Sequence, residues 1–282
     1  MRIKSFEENG GILYLVATPI GNLEDVTFRA IRILKEVDII YCEDTRTSAP
    51  FLMHYDIKTK KESYHKFNEN EKKDEIVKFI KEGHKAALIT DAGLPIVSDP
   101  GYSLVKALRD EGLRVSVIPG PSAGISALIS SGLNPSPYLF YGFLKSKESE
   151  REAELLELKY EKATLIFYEA PHRINETLNS IYKIFGNRKA SVLRELTKLH
   201  EEYVAGNLND IKDLDNLKGE MVIVVEGYVS NEEVLNPIEK IDDLIKNGYR
   251  LSDAVKEVAR IFSLKKNDLY DLYLKEKNKG EI

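Results

Sequence analysis

Four short apolar runs, each halted by glycine, proline or aspartate and each followed by an amphipathic stretch, constrain the N-terminal part of this chain. They are residues 12–17 (ILYLVA), 39–42 (IIYC), 86–90 (AALIT) and 115–119 (VSVIP). Apolar runs of this length without polar alternation fit strands buried on both faces, as in a parallel sheet. The stretches between them repeat every three to four residues. Phe28, Ile31 and Leu34 follow the capping type Thr27; then come Ile76, Phe79 and Ile80, and then Leu104, Ala107 and Leu108, with Gly112 placed to end that helix. Strand–helix alternation predicts an open α/β sheet over residues 1–119.

A second α/β domain is expected over residues 120–230. It opens with a small-residue helix (SAGISALISSG), and strand patterns follow at 138–143, 164–168, 190–193 and 221–225. A helix carrying Ile174, Leu178, Ile181 and Ile184 falls between Pro171 and Gly186, while 145–161 reads only as a polar, charged stretch. Not every connection is long enough for a helical crossover, so this sheet can be mixed. Residues 231–282 lack strand patterns and carry helical segments at 238–246, 251–262 and 266–275, with a tight turn near 263–264. Ala254, Val255, Val258, Ala259 and Phe262 share one face. These helices resemble a helix-turn-helix module; a helical tail packed on the second domain fits the pattern equally well. The expected fold class is therefore two α/β domains with a small C-terminal helical, helix-turn-helix-like extension.

Composition excludes several classes. No apolar run approaches the ~20 residues that span a bilayer. The N-terminal MRIKSFEENGG has no apolar core of the kind a signal peptide needs, and the single Cys42 rules out a disulfide within the chain, so a cytoplasmic location is expected. The 41 basic and 46 acidic residues give a net charge of -5. Proteins that coat nucleic acid indiscriminately show a basic excess, so charge alone favours a small-molecule substrate, and contact with RNA would need local basic patches. Neither of the common nucleotide fingerprints, G-x-G-x-x-G after the first strand or G-x-x-x-x-G-K-[ST], is present, and no G-x-S-x-G elbow occurs. His54, His65, His84, His172 and His200 show no paired metal spacing, so no metal site is expected.

Three of the candidate strands run into loops rich in glycine and proline: Thr18-Pro19-Ile20-Gly21-Asn22, Asp91-Ala92-Gly93-Leu94-Pro95 and Pro119-Gly120-Pro121-Ser122-Ala123. In an open parallel sheet, ligands bind beyond the carboxyl ends of the strands. Three such loops on one sheet argue for a shared cleft where main-chain groups hold a cofactor.

The ordered set LYLVATPIGNLEDVTFRAIRIL, EDTR, DAGLPIVSDPG, VIPGPSA, FYGFL, EAPHR, RELTKLHEE and GEMVIVVEG resembles the tetrapyrrole-methylase superfamily. More closely it resembles the branch that methylates the 2'-hydroxyl of a cytidine in 16S ribosomal RNA. The match runs from about residue 12 to residue 227, and the helical tail is similar to that branch's helix-turn-helix extension. The resemblance implies a class III methyltransferase of two domains, with S-adenosylmethionine in the cleft between them. Carried over by position, Pro19, Ile20 and Gly21 would line its floor, and Gly93, Leu94, Pro95 and Val97 would follow the donor's edge. Ser122 and Ala123 would touch it from the third loop, and Tyr168 would close over it. Leucine at 94 departs from the acidic residue or threonine common there, which removes a side-chain hydrogen bond; Lys145 replaces the proline of a GFLP turn. The resemblance also implies a homodimer, with 16S ribosomal RNA or the small ribosomal subunit as partner.

A ribose hydroxyl must be aligned and deprotonated. Candidate bases are Glu43 and Asp44, which follow a strand, and Lys198, provided that burial or nearby cations release its proton. A helix cap or an ion pair with Arg46 would explain the acidic pair as well, and solvation would explain the lysine. Arg46, His172 and Arg173 stand in loops where they could reach phosphates. The segment 55–67 interleaves Lys58, Lys60, Lys61 and Lys66 with Tyr55, Tyr64 and Phe67, a pattern that suits a splayed single strand or simply a solvated face. Lys145, Lys147 and Arg151 form a second basic patch with the same two readings. A tetrapyrrole or corrinoid substrate on the same fold, and a non-catalytic RNA-binding assembly factor, are the alternatives.

Overall fold

The first sheet contains β1 (Ile12–Val16), β2 (Ile39–Cys42), β3 (Lys61–Ser63), β4 (Lys85–Ile89) and β5 (Arg114–Ile118), in the order β3-β2-β4-β1-β5. All its pairings are parallel. Side chains alternate across it as the pleat requires. Ile12, Tyr14 and Val16 of β1 face one way, onto a core shared with α1 (Phe28–Glu36) and α2 (Thr45–His54). Leu13 and Leu15 face the other, onto α3 (Glu69–Lys81) and α4 (Tyr102–Asp110). Both faces are covered, which is why these strands lack polar alternation. Thr27 caps α1 as expected, its Oγ1 accepting from the Ala30 amide at 3.1 Å.

The second sheet contains β6 (Tyr138–Phe143), β7 (Thr164–Glu169), β8 (Lys189–Arg194), β9 (Glu202–Asn207) and β10 (Met221–Val225), in the order β6-β7-β10-β8-β9. It is mixed: β6 and β7 run parallel, and the remaining pairs are antiparallel. One face packs on α6 (Glu148–Leu158) and α7 (Ile174–Phe185), the other on α5 (Ala123–Ser130). A one-turn helix, α8 (Leu208–Ile211), follows β9. The charged stretch at 145–161 is thus largely helical. Within α6, Arg151 is buried, donating to Ser180 Oγ at 3.0 Å and to Ser146 O at 2.9 Å, so it belongs to no surface patch.

This computed structural model describes residues 10–215, 218–229, 237–246, 248–262 and 264–278. The N-terminal stretch read for a signal and part of the turn placed at 263–264 lie outside them. Contacts divide the chain into Met1–Tyr228, which holds both sheets, and Val229–Ile282. The latter contains α9 (Pro237–Lys246), α10 (Leu251–Ile261) and α11 (Lys266–Asn278), with its own core of Ile241, Ala254, Val255, Val258, Leu269 and Tyr273. The Tyr273 hydroxyl donates to Asp242 at 2.7 Å and fastens α11 to α9.

Candidate active site

The strand order places β4, β1 and β5 side by side, so the three glycine- and proline-bearing loops leave the sheet at the same end. They are joined by main-chain bonds. Thr18 and Gly93 exchange both of theirs, at 2.9 and 3.1 Å, and the Ala17 amide donates to Ile118 O at 3.2 Å. Thr18 Oγ1 adds a bond to Thr90 O at 3.1 Å. Close approach here requires glycine: a Cβ on Gly120 would stand 2.8 Å from that of Ala17, and Gly93 takes a φ of +83° with Ile20 against it.

The second sheet closes the cleft from the opposite side. Tyr168, at the end of β7, accepts a hydrogen bond on its phenol from the Gly124 amide at 3.1 Å, which satisfies a free donor of the first turn of α5. Burial pushes the phenol's pKa up, and Phe140 and Phe143 pack edge-on against its ring. Between the two sheets lies a cavity of about 580 Å³. Ile20, Gly93, Leu94, Val97, Ser122, Ala123 and Tyr168 line it. Pro19, Gly21 and Pro95 do not. Gly21 faces the 196–198 loop instead, where an added Cβ would lie 2.6 Å from Lys198 Cγ and 2.7 Å from Leu196 O.

Carboxylates dominate the polar lining: Glu43, Asp91, Asp99, Glu169, Glu195 and Glu220. Thr90 Oγ1 lies 3.0 Å from Glu43 Oε2 and 2.9 Å from Asp99 Oδ2. A hydroxyl has one proton to give, so both contacts are favourable only when one acid is protonated. Burial, with Glu43, Asp91 and Glu220 close by, pushes the Asp99 pKa up to about 6 against the opposing bond from Thr90. The Asp91 pKa is raised too, by burial first and then by Glu43. Sequence reasoning missed Thr90, Asp99, Glu195 and Glu220, because only the fold brings these separate loops together.

The three candidate bases part company. Asp44 caps α2, accepting from the Arg46 amide at 2.7 Å, and it ion-pairs with the Arg46 guanidinium at 2.8 Å. The Arg46 hydrogen bond holds the Asp44 carboxyl down at about 2, and Asp44 is absent from the cavity lining. Lys198 does line the cavity, but its ammonium donates to Glu195 Oε1 at 2.9 Å, so its close neighbour is an anion rather than a cation. Glu43 alone faces the cavity beside a hydroxyl relay.

Among the candidate RNA contacts, two are removed by the fold. Tyr64 is buried between α3 and α4, with none of its surface exposed, so it cannot stack on a base. Arg173 is held by the buried Glu169 at 3.0 Å and by Leu144 O at 3.0 Å, and Thr177 also donates to Glu169, at 2.6 Å. EAPHR thus builds an internal clamp, with His172 exposed beside it. Lys58 pairs with Asp56, Lys60 with Glu62 and Arg46 with Asp44, all three with largely exposed side chains, and Lys61 is exposed as well.

A parallel sheet facing a mixed one across a glycine-lined cleft defines a two-lobed α/β protein with a ligand-sized cavity between its sheets. Two solved structures share this architecture. Uroporphyrin-III-C-methyltransferase from Thermus thermophilus superposes with a TM-score of 0.56 at 20% identity, covering 77% of this chain and 94% of that one. Diphthine synthase gives 0.58 at 12%, covering 77% and 89%. The family described as Tetrapyrrole (Corrin/Porphyrin) Methylases matches residues 12–212, and the RsmI C-terminal HTH domain matches 247–277. The chain belongs to the tetrapyrrole methylase family. Its relatives include Ribosomal RNA small subunit methyltransferase I of Halalkalibacterium halodurans, 46% identical over 95% of this chain and 96% of that protein. The protein of the same name in Bacillus subtilis is 44% identical over 93% and 94%.

Proposed function

We propose that this protein is an S-adenosylmethionine-dependent methyltransferase that methylates the 2'-hydroxyl of a cytidine ribose in 16S ribosomal RNA. One observation carries the reading: the glycine-lined cleft sits in a chain that aligns over 95% of its length with a relative named for the small ribosomal subunit. That name favours RNA over a tetrapyrrole substrate, and the cleft favours catalysis over a binding-only role.

The cleft fits the donor. Its volume suits a small ligand, its glycines leave main-chain groups uncovered, and Ile20, Leu94, Val97 and Met221 offer apolar surface. The carboxylate wall suits a positively charged molecule. S-adenosylmethionine supplies a methyl group on a cationic sulfur, and in-line transfer to an alcohol breaks the carbon–sulfur bond and forms a carbon–oxygen bond. Glu43 receives the hydroxyl proton, with Thr90 and Asp99 behind it. Alignment by the rigid loops contributes ~7–11 kcal/mol in favourable cases, and a placed base adds ~10²–10⁴-fold. Leu94 contributes only surface and backbone.

The carboxylates that suit a cation repel phosphates, so the RNA must be led in by Arg46, Lys61 and His172 on the surface, with Lys198 the cation inside. We assign residues 1–119 to the donor floor, 120–230 to its closure, and residues 231–282 to RNA contact. The protein acts in the cytoplasm as a homodimer. No described helix is long and apolar enough to cross a membrane, and light scattering tests the dimer.

The decisive experiment transfers tritium from labelled donor to naked 16S RNA and to assembled small subunits. A 2'-O-methyl group blocks alkaline cleavage of the following phosphodiester, so the label should emerge in an alkali-resistant dinucleotide. Failure of transfer to both substrates with donor binding intact, or label in a mononucleotide, would overturn the reading.

A further inference from the structure

We propose that Phe67 and Tyr102 form a stacking platform for unpaired bases that flank the target nucleotide. The proposal rests on RNA being the substrate and identifies where its single-stranded portion lies.

Strand β3 pairs in parallel with β2. The segment after β3 therefore leaves the sheet at the same end as the loops around the cavity. On that segment Phe67 has 95% of its surface exposed. Tyr102 opens α4 three residues beyond the cavity-lining Asp99, and it is 71% exposed. Single apolar side chains on a surface need no explanation. These two differ because their loops are braced against each other. Glu69 Oε1 accepts from Ser103 Oγ at 2.6 Å, from the Gly101 amide at 3.3 Å and from the Tyr64 hydroxyl at 3.3 Å. Asn68 holds the turn from within, accepting from the His65 amide at 2.8 Å and donating to Ser63 O at 3.1 Å.

The buried Tyr64 is thus the anchor of this loop, and the phenylalanine three residues on is what it presents. A rigid mount removes the ordering cost of a stacked ring. The charge around it suits a polyanion. Lys61 and Lys66 are exposed, and neither has a carboxylate partner among the described residues. The His65 ring lies edge-on to that of Phe67 at 6.0 Å. Aromatic faces beside lysines are how single strands are held without base-edge readout, the rings taking bases and the ammonium groups taking phosphates. The nearest exposed acid in sequence, Glu71, lies in the first turn of α3 and limits how far the strand can run along that helix.

The test uses the full chain and the variants Phe67→Ala, Tyr102→Ala and Phe67→Trp. The probes are naked 16S RNA, assembled small subunits and a single-stranded oligoribonucleotide carrying 2-aminopurine, whose fluorescence is quenched on stacking. Phe67→Ala should raise the KM for RNA about tenfold, leave kcat and donor affinity within about twofold, and abolish the quench. Tyr102→Ala should act in the same direction, and Phe67→Trp should restore both readouts. An unchanged KM and quench in both alanine variants, with the wild type active on RNA, would overturn the platform and leave the proposed activity standing. An effect on assembled subunits alone, or a change in oligomer mass, would overturn it in favour of a protein partner or a second copy. A wild type that neither methylates nor binds RNA would instead remove the parent reading.

Discussion

Thr90 and Asp99 stand 2.9 Å apart on the cavity wall, hydroxyl to carboxylate, at the two ends of the loop that follows β4. The Asp99 pKa is pushed up to about 6, by burial before any neighbour, so it falls within the range where the enzyme can be assayed. A carboxyl group whose pKa rises on folding binds more protons in the native state, and its contribution to stability declines as pH rises from 4 towards 6. Asp99→Asn should therefore raise Tm at pH 7.5, with the gain shrinking towards zero near pH 4. A cationic donor prefers the ionised wall. Calorimetry should find weaker donor binding at pH 5 than at pH 7.5, and Asp99→Asn should flatten that dependence. A variant as pH-sensitive as the wild type would place the titrating group elsewhere.

The adjacent acids Glu43 and Asp44 should separate cleanly. Glu43→Gln keeps the shape of a cavity-lining side chain but cannot take a proton, and should lower single-turnover methyl transfer at least ~100-fold with donor affinity nearly unchanged. Asp44→Asn keeps a capping oxygen for α2 and should retain most activity. Equal losses would mean that the chemistry does not run through Glu43.

At Gly21 the obstacle to a side chain is partly main chain, because Leu196 O would lie 2.7 Å from an added Cβ. Side-chain rotation cannot relieve that contact. Gly21→Ala should cost about 1–3 kcal/mol in urea unfolding and displace the 196–198 loop that carries Lys198. Crystallography of the variant would show whether the loop moves or β1 does.

The motif EAPHR should divide by position. Arg173→Ala leaves the Glu169 carboxylate buried with one cation fewer and should cost about 3–5 kcal/mol. His172→Ala should change stability by less than about 0.5 kcal/mol while raising the KM for RNA. Denaturation and methyl-transfer kinetics on the same two variants distinguish the roles.

The parallel sheet was legible because its central strands are buried on both faces, and burial leaves an apolar run in the sequence. Two of the four edge strands, β3 and β9, carry no such mark. β3 reads KES and β9 reads EYVAGN, so both pass for loop. Helix α2 was hidden by Pro50 in its interior and by its weak amphipathic pattern. The glycine-bearing loops announced a cleft, but the acids that furnish it come from separate loops of both sheets. Tyr64 misled for a related reason. Its neighbours in sequence are polar and basic, and what buries it is Ile76, Ile80 and Leu104 from α3 and α4.

A wall of carboxylates weighs ligands by their charge. A sulfonium donor and the uncharged thioether left after transfer differ by one positive charge and a single methyl group, so on the proposed reading Asp91, Asp99 and Glu220 of that wall would hold the first more firmly than the second. Calorimetry with the two ligands should therefore find the fresh donor bound more tightly than the spent one.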